Sequence, residues 1–128
     1  MRIERGFTLL EVLMSAIIIA VAIIPLSRVI VGVLDSRVAS ERMTKAAMLA
    51  EEKLEEIKHE AAVQFDVNRT GSGTFPPPDT SYRYSVQDDG DPLMKTFSVT
   101  VWFDEDGDGM LDEGEINIRL DTRFTRRD

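Results

Sequence analysis

Residues 7–26 read FTLLEVLMSAIIIAVAIIPL, a stretch of twenty residues that carries one charge, Glu11. As a helix with a rise of about 1.5 Å per residue, the stretch would span roughly 30 Å, the thickness of the hydrocarbon core of a bilayer. A second apolar run follows it, so we predict a membrane segment over residues 7–34. Arg2 and Arg5 precede the segment, and such positive charge keeps that end of a chain in the cytoplasm. Residues 35–128 are therefore expected outside the cytoplasm.

Two ordinary alternatives compete with this interpretation. The basic start and the small-residue triplet Ala20-Val21-Ala22 are typical of a cleaved secretory signal peptide. Against it, Glu11 lies inside the apolar region, the apolar character continues past the triplet, and a helical pattern follows. A plain signal anchor has no use for Glu11, because a carboxylate at membrane depth costs about 2.5–3.5 kcal/mol. We therefore interpret Glu11 as a functional residue.

The sequence GFTLLE at residues 6–11, followed by an apolar helix, resembles the type III signal of type IV prepilins and type II secretion pseudopilins. The resemblance implies that a prepilin peptidase of the inner membrane removes the leader, residues 1–6. The cut would fall between Gly6 and Phe7, and Phe7 would become N-methylated. The resemblance also implies that Glu11 meets the N-terminus of a neighbouring subunit in the filament. A buried charge is tolerable when paired and costly when alone, which suits a role in assembly.

Residues 35–62 contain no proline or glycine and are rich in strong helix formers, so they predict a continuation of the helix. Apolar residues recur at steps of three and four and form one stripe: Met43, Ala46, Ala47, Ala50, Leu54, Ile57 and Ala61. Charged residues fill the opposite face, from Glu41 and Arg42 to Lys58. We expect the stripe to pack against the chain's own sheet. Pro25, within the apolar helix, should bend or loosen it locally. The sequence MLAEEKLEE at residues 48–56 resembles V-type minor pilins and I-type pseudopilins.

The C-terminal half has the pattern of a small antiparallel sheet. Glycines and a run of three prolines at residues 76–78 predict a proline-rich loop over residues 63–80 without regular structure. Alternating apolar and polar residues then predict a three-stranded meander over residues 81–124. A long helix packed on such a sheet gives an α+β fold, and it is also the pilin fold that the resemblance implies. Trp102 has the parity of the face away from the helix; a second subunit or the proline-rich loop could cover it.

Between the last two strands, residues 104–115 read DEDGDGMLDEGE. This matches the calcium-loop pattern, in which oxygen ligands stand at fixed spacing and a glycine makes the sharp turn. The expected ligands are Asp104, Asp106, Asp108, the backbone carbonyl of Met110, Asp112 and Glu115. Gly109 should have a positive φ angle. The flanking elements are strands, so we expect a structural Ca²⁺ site rather than a sensor. The alternative is a solvated acidic turn.

Composition excludes several classes of function. The chain has no cysteine and one histidine, His59, which we expect on the surface of the helix, so neither a nucleophile–base pair nor a thiolate metal site can be built. The net charge of −8 argues against a nucleic-acid partner. We therefore expect a non-enzymatic minor pilin or pseudopilin, which would enter a pilus or a secretion pseudopilus with other such subunits. The alternative is a signal-anchored, exported calcium-binding protein that does not polymerise.

Overall fold

The computed structural model describes residues 6–127. Of the predicted leader, residues 1–5, with Arg2 and Arg5, lie outside the described residues. One helix, α1 (Leu9–Val63), is followed by four strands, which are β1 (Gly71–Thr74), β2 (Tyr82–Asp88), β3 (Met94–Phe103) and β4 (Asn117–Thr125). The strands form one antiparallel sheet in the order β1-β2-β3-β4. The expected α+β class, with a long N-terminal helix and a small antiparallel sheet as in pilins, is confirmed.

The described residues divide into two units, one that ends at Val38 and one that begins at Ala39. In the first unit, every described residue is exposed, although most of them are apolar. The helical conformation continues through Pro25. The helix of this unit is long and apolar enough to cross a membrane, and none of its most apolar window is buried. Apolar surface of this extent requires a partner or a lipid environment.

The second unit contains the hydrophobic core. Most of the predicted helix stripe is buried there, together with the fully buried Phe97, Val99 and Val101 of β3. The stripe prediction was wrong at one end, because Met43 is 48% exposed, and it omitted Leu49, which is only 5% exposed. Leu49 follows Ala46 by about one turn and shares its face. The sheet therefore covers a face of the helix that includes Leu49 and excludes Met43.

Three basic residues of the predicted solvated face instead lie along the flank of the sheet. The guanidinium of Arg42 is 4.1 Å from the centroid of the Phe103 ring, and the ammonium of Lys53 is 4.5 Å from that of Tyr84. Lys45 pairs with the Asp79 carboxylate at 3.2 Å. Long basic side chains can cover apolar surface with their stems while their charges reach an aromatic face or an acid. His59, by contrast, is exposed, as predicted.

The prediction that residues 63–80 lack regular structure was wrong, because β1 forms there and makes the sheet four-stranded. Pairing with β2 compensates for the poor strand propensity of its glycines. At Gly73 a side chain would clash, since a Cβ would lie 2.8 Å from the hydroxyl oxygen of Tyr84. The aromatic ring thus lies across the glycine. The other three strands correspond to the predicted meander, with ends that differ by about one residue.

Trp102 is only 5% exposed, so it offers no surface to a second subunit in this structure. Its directly opposite neighbours in the sheet are Arg83 and Asn117. One contact of the proline-rich loop, the edge-to-face pair of Phe75 and Tyr84, lies on the helix side of the sheet. A subunit contact at Trp102 is not supported, whereas cover by the proline-rich loop stays a prediction. Arg83, the neighbour of Trp102 on β2, contacts the acidic loop.

A buried ion pair joins the segment after α1 to the sheet. The ammonium of Lys95 lies 3.2 Å from the carboxylate of Asp88 and donates to the backbone carbonyl of Val67 at 3.0 Å. The Asp88 carboxylate also accepts the backbone N–H groups of Arg69 and Gly90. The two side chains are 4% and 0% exposed. Because a buried charge without a partner is costly, this pair holds the segment in one position.

Candidate membrane segment and calcium loop

The helix begins directly after the predicted cleavage site, at Leu9. Thr8 precedes it, and both its carbonyl and its hydroxyl oxygen accept the backbone N–H of Glu11, at 3.0 and 3.3 Å. A threonine followed three residues later by a glutamate is a sequence pattern for a helix start. The motif residues thus define where the helix starts. Gly6 and Phe7 are exposed and non-helical, which leaves the bond between them free of secondary structure.

The serine hydroxyls within the apolar segment are satisfied by the helix itself. The hydroxyls of Ser15 and Ser27 donate to the carbonyls of Glu11 and Ile23, each at 2.8 Å. Such internal bonds are what a helix needs in a medium without water. The carboxylate of Glu11 has no hydrogen-bond partner among residues 6–127. Glu11 is the one charged residue of the stretch 7–26, and it would need a partner from outside the described residues.

The acidic loop brings its first three predicted ligands together. Asp104, Asp106 and Asp108 can each offer one carboxylate oxygen such that all three atoms lie within 4.8 Å of one another. Short-range turns hold them, since the N–H of Asp108 donates to Asp106 and that of Met110 donates to Asp108. Asp104 is buried, whereas the other two are exposed. This arrangement is open on one side and anionic.

Arg83 was missed by the sequence reasoning, which considered only the loop itself and found no base in it. Its guanidinium donates to one oxygen of Asp104, the oxygen that also accepts the N–H of Gly109. Burial acts to raise the pKa of Asp104, but hydrogen bonds from Arg83 and from the N–H groups of Gly109 and Gly107 outweigh it and lower this pKa. Arg42 adds a second positive charge, 3.5 Å from Glu105. Arginines from β2 and α1 thus offset part of the repulsion in the loop.

The last predicted ligands also turn toward the cluster. Glu115 accepts the N–H of Glu105 with one oxygen and that of Asp112 with the other, both at 3.0 Å, so it closes the loop. The nearby Asp108 carboxylate raises the pKa of Asp112 most, and burial, Asp106 and Glu115 raise it further. Like charges close to a carboxylate disfavour its ionised form, so Asp112 lies near Asp108. The structure therefore brings Asp104, Asp106 and Asp108 into one cluster, and Asp112 and Glu115 lie beside it in the same loop.

The glycines of the loop have the backbone conformation that the pattern requires. Gly109 has φ = 79°, as predicted, and Gly107 has φ = 77°. At Gly109 an added Cβ would lie 3.1 Å from the guanidinium of Arg83. The glycine therefore permits both the left-handed turn and the close approach of Arg83.

The donor set fits a hard cation that prefers oxygen. Carboxylate and carbonyl oxygens are the ligands of Ca²⁺, and each oxygen has more than one lone pair, so the hydrogen bonds to Asp104 and Glu115 leave acceptor capacity. The cluster holds no thiol or imidazole, which rules out the ligands that zinc prefers. Asp104, Asp106, Asp108, Asp112, Glu115 and the carbonyl of Met110 would hold such an ion. The alternative, an acidic turn held by Arg83, uses the same geometry without an ion.

Residues 1–27 match the family model described as the prokaryotic N-terminal methylation motif. This supports the resemblance to the signal of type IV pilins and pseudopilins and an exported, pilin-like subunit. The match ends before the second unit, which begins at Ala39. Neither the curated proteins nor the solved structures contain a match to this chain.

Proposed function

We propose that this chain is a minor pilin or pseudopilin, a non-enzymatic subunit of a type IV pilus or of a type II secretion pseudopilus. The observation that carries the proposal is the methylation motif over residues 1–27. Two features support it: the motif leads into an apolar helix with no buried residue up to residue 38, and the unit that follows has the α+β architecture of pilins. The subunit would be held in the inner membrane by residues 7–34, with residues 35–128 outside the cytoplasm.

Processing is the first step of this function. A prepilin peptidase would cut between Gly6 and Phe7 and methylate Phe7. Gly6→Val should leave the leader in place, because the added side chain fills the position next to the cut. Gly32→Val is the matched control, since Gly32 also has open space around it and lies outside residues 1–27. Intact-mass analysis of the membrane-bound protein measures both outcomes.

Loss of residues 1–6 and gain of one methyl group in the wild type and in Gly32→Val, but not in Gly6→Val, is the expected result. A wild-type chain that keeps residues 1–6 would contradict the proposal. It would support the rival function, a signal-anchored calcium-binding protein that does not polymerise. The acidic loop is compatible with either function.

Assembly is the second step, and we propose that Glu11 pairs with the positive N-terminus of a neighbouring subunit. Its carboxylate, which has no hydrogen-bond partner among residues 6–127, supports this role. Glu11→Ala should insert into the membrane more readily than wild type but enter filaments poorly. Ser15→Ala is the control, because its hydroxyl bonds within the helix and should not affect assembly. The amounts of each variant in sheared filaments and in the membrane decide; equal incorporation of Glu11→Ala would refute a role in pairing.

We further propose that residues 104–115 bind a structural Ca²⁺ ion. When bound, the ion would neutralise the acidic cluster and join the end of β3 to the start of β4. A ligand at about a hundred times its dissociation constant stabilises a domain by roughly 2.7 kcal/mol. For a unit of this size that amounts to about 10–20 °C in the melting temperature. Mg²⁺ should stabilise far less, because it is smaller and demands octahedral geometry.

The single tryptophan makes the measurement simple, because Trp102 is buried beside Arg83, which contacts the loop. Its fluorescence follows melting with calcium or with chelator. The double variant Asp106→Asn with Glu115→Gln should lose the calcium effect. The control, Glu51→Gln with Glu52→Gln, removes the same charge from the exposed face of α1 and should keep it. Melting that is indifferent to millimolar calcium would refute the site and leave the acidic turn.

A further inference from the structure

Strand β4 has an open edge. The sheet order places it outermost, and residues 6–127 provide no strand that pairs with its free side. Two backbone bonds show which residues of β4 bond toward β3. The N–H of Phe103 donates to the carbonyl of Ile116, and the N–H of Arg126 donates to the carbonyl of Leu93. Even-numbered residues of β4 bond to β3, so residues 117, 119, 121, 123 and 125 direct their N–H and C=O groups outward. Such an edge is a template for a further strand.

The side chains of β4 leave apolar surface beside this edge. On the helix side, Ile118, Leu120 and Phe124 pack against the core but are only half-buried. The helix therefore covers this end of the sheet incompletely. A strand added to the edge would cover these side chains further, as burial of apolar surface favours.

Strand β4 carries charges of both signs in a defined order. Charged residues normally keep edges from pairing. Here Arg119 and Asp121 stand on either side of Leu120 on the face away from the helix, where they pair with each other at 3.1 Å. Acidic residues precede the strand, and Arg123, Arg126 and Arg127 lie at its end. If a second copy of the strand is placed antiparallel about Leu120, the acidic end of one copy therefore lies beside the basic end of the other.

We propose that β4 is a homotypic interaction surface, which pairs in antiparallel fashion with β4 of a second copy about a two-fold axis at Leu120. In this register Arg119 lies opposite the partner's Asp121, and Asp121 lies opposite the partner's Arg119. The outward backbone groups meet each other in hydrogen-bonded pairs. Leu120 meets the partner's Leu120 in a non-hydrogen-bonded pair, where side chains approach most closely. The acidic start of each strand lies beside the basic end of the other.

The neighbouring two-fold registers are disfavoured by charge. A shift of the axis to residue 119 places Arg119 opposite the partner's Arg119. A shift to residue 121 places Asp121 opposite the partner's Asp121. Like charges directly opposite one another destabilise a sheet. The charge order therefore selects one register, which backbone pairing alone would not do.

The contact is independent of the proposed filament. A two-fold axis perpendicular to the sheet reverses the direction of its strands and of the helix segment packed on it. Subunits of one filament point the same way, so the β4 contact joins copies that belong to different filaments or that face each other. An isologous contact of this kind closes on itself and forms a dimer rather than a chain.

A cysteine at the axis tests the geometry, because the chain has no cysteine of its own. In the full-length protein, in detergent at less than one chain per micelle, Leu120→Cys should form disulfide-linked dimers at least ten times faster than Glu52→Cys. Residue 52 is exposed on α1 and serves as the control for random collision. Equal rates for the two variants would overturn the proposal.

Charge exchange tests the register and separates pairing from a structural effect. In the Leu120→Cys background, Asp121→Arg and Arg119→Asp should each slow dimer formation at least tenfold, since each places like charges opposite one another. A mixture of the two variants should recover the rate, with dimers that contain one copy of each, because Arg then lies opposite Asp at both positions. Failure of the single changes to slow the reaction, or of the mixture to restore it, would refute the contact.

Discussion

Replacement of Lys95 by methionine should destabilise the second unit, which begins at Ala39, strongly. Methionine keeps most of the length of the side chain but removes the charge that faces Asp88, and the side chains of Lys95 and Asp88 are nearly excluded from solvent. Loss of one member of a buried pair typically costs 3–5 kcal/mol. Asp88 retains two backbone N–H donors, from Arg69 and Gly90, so we expect the lower end, about 3 kcal/mol. For a unit of this size, the melting temperature should fall by about 12–24 °C.

Urea unfolding followed by the fluorescence of Trp102 measures this change, because Trp102 lies buried on β3, the strand that carries Lys95. Lys58→Met is the control. It breaks the Lys58–Glu55 pair, which lies on the exposed surface of α1, and such pairs contribute about 0.3–0.5 kcal/mol. A Lys95→Met variant that unfolds within about 1 kcal/mol of the wild type would refute the argument, because the pair would then behave as a solvated one.

Three further changes have defined outcomes. Gly109→Ala should lower the free energy of unfolding by about 1–2 kcal/mol, since an L-residue at φ = 79° is strained and its Cβ would crowd Arg83. Gly71→Ala, with open space around it, should have little effect, and urea unfolding compares the two variants. Leu49→Ala should cost about 2–5 kcal/mol in the same assay. Hydrogen bonds from the backbone N–H groups of Met94 and Leu93 lower the pKa of Asp91. Its contribution to stability is therefore complete above the ordinary pKa and is lost as the pH falls below about 4, and Asp91→Asn should flatten this acid dependence.

The apolar part of the helix, its amphipathic continuation and three of the strands could be predicted because their signals are local. Length and hydropathy indicated the apolar part of α1, and period-two alternation indicated β2, β3 and β4. The ligand spacing of the acidic loop likewise lies within twelve consecutive residues, 104–115, and the structure brings three of its carboxylates together, those of Asp104, Asp106 and Asp108. Leader removal, filament assembly and calcium binding stay predictions, because they involve molecules other than this chain.

Tertiary structure decided what the local patterns could not contain. Strand β1 exists because β2 supplies its hydrogen bonds, although its own residues disfavour a strand. Arg83 reaches Asp104 from a position 21 residues earlier, and it becomes part of the acidic loop only when the sheet has formed. Lys95, which alternation marks as merely polar, is buried because the segment after α1 folds over it and supplies a carbonyl. Burial and charge pairing depend on which residues meet across the fold, whereas periodicity records only which face each residue shares along its own element.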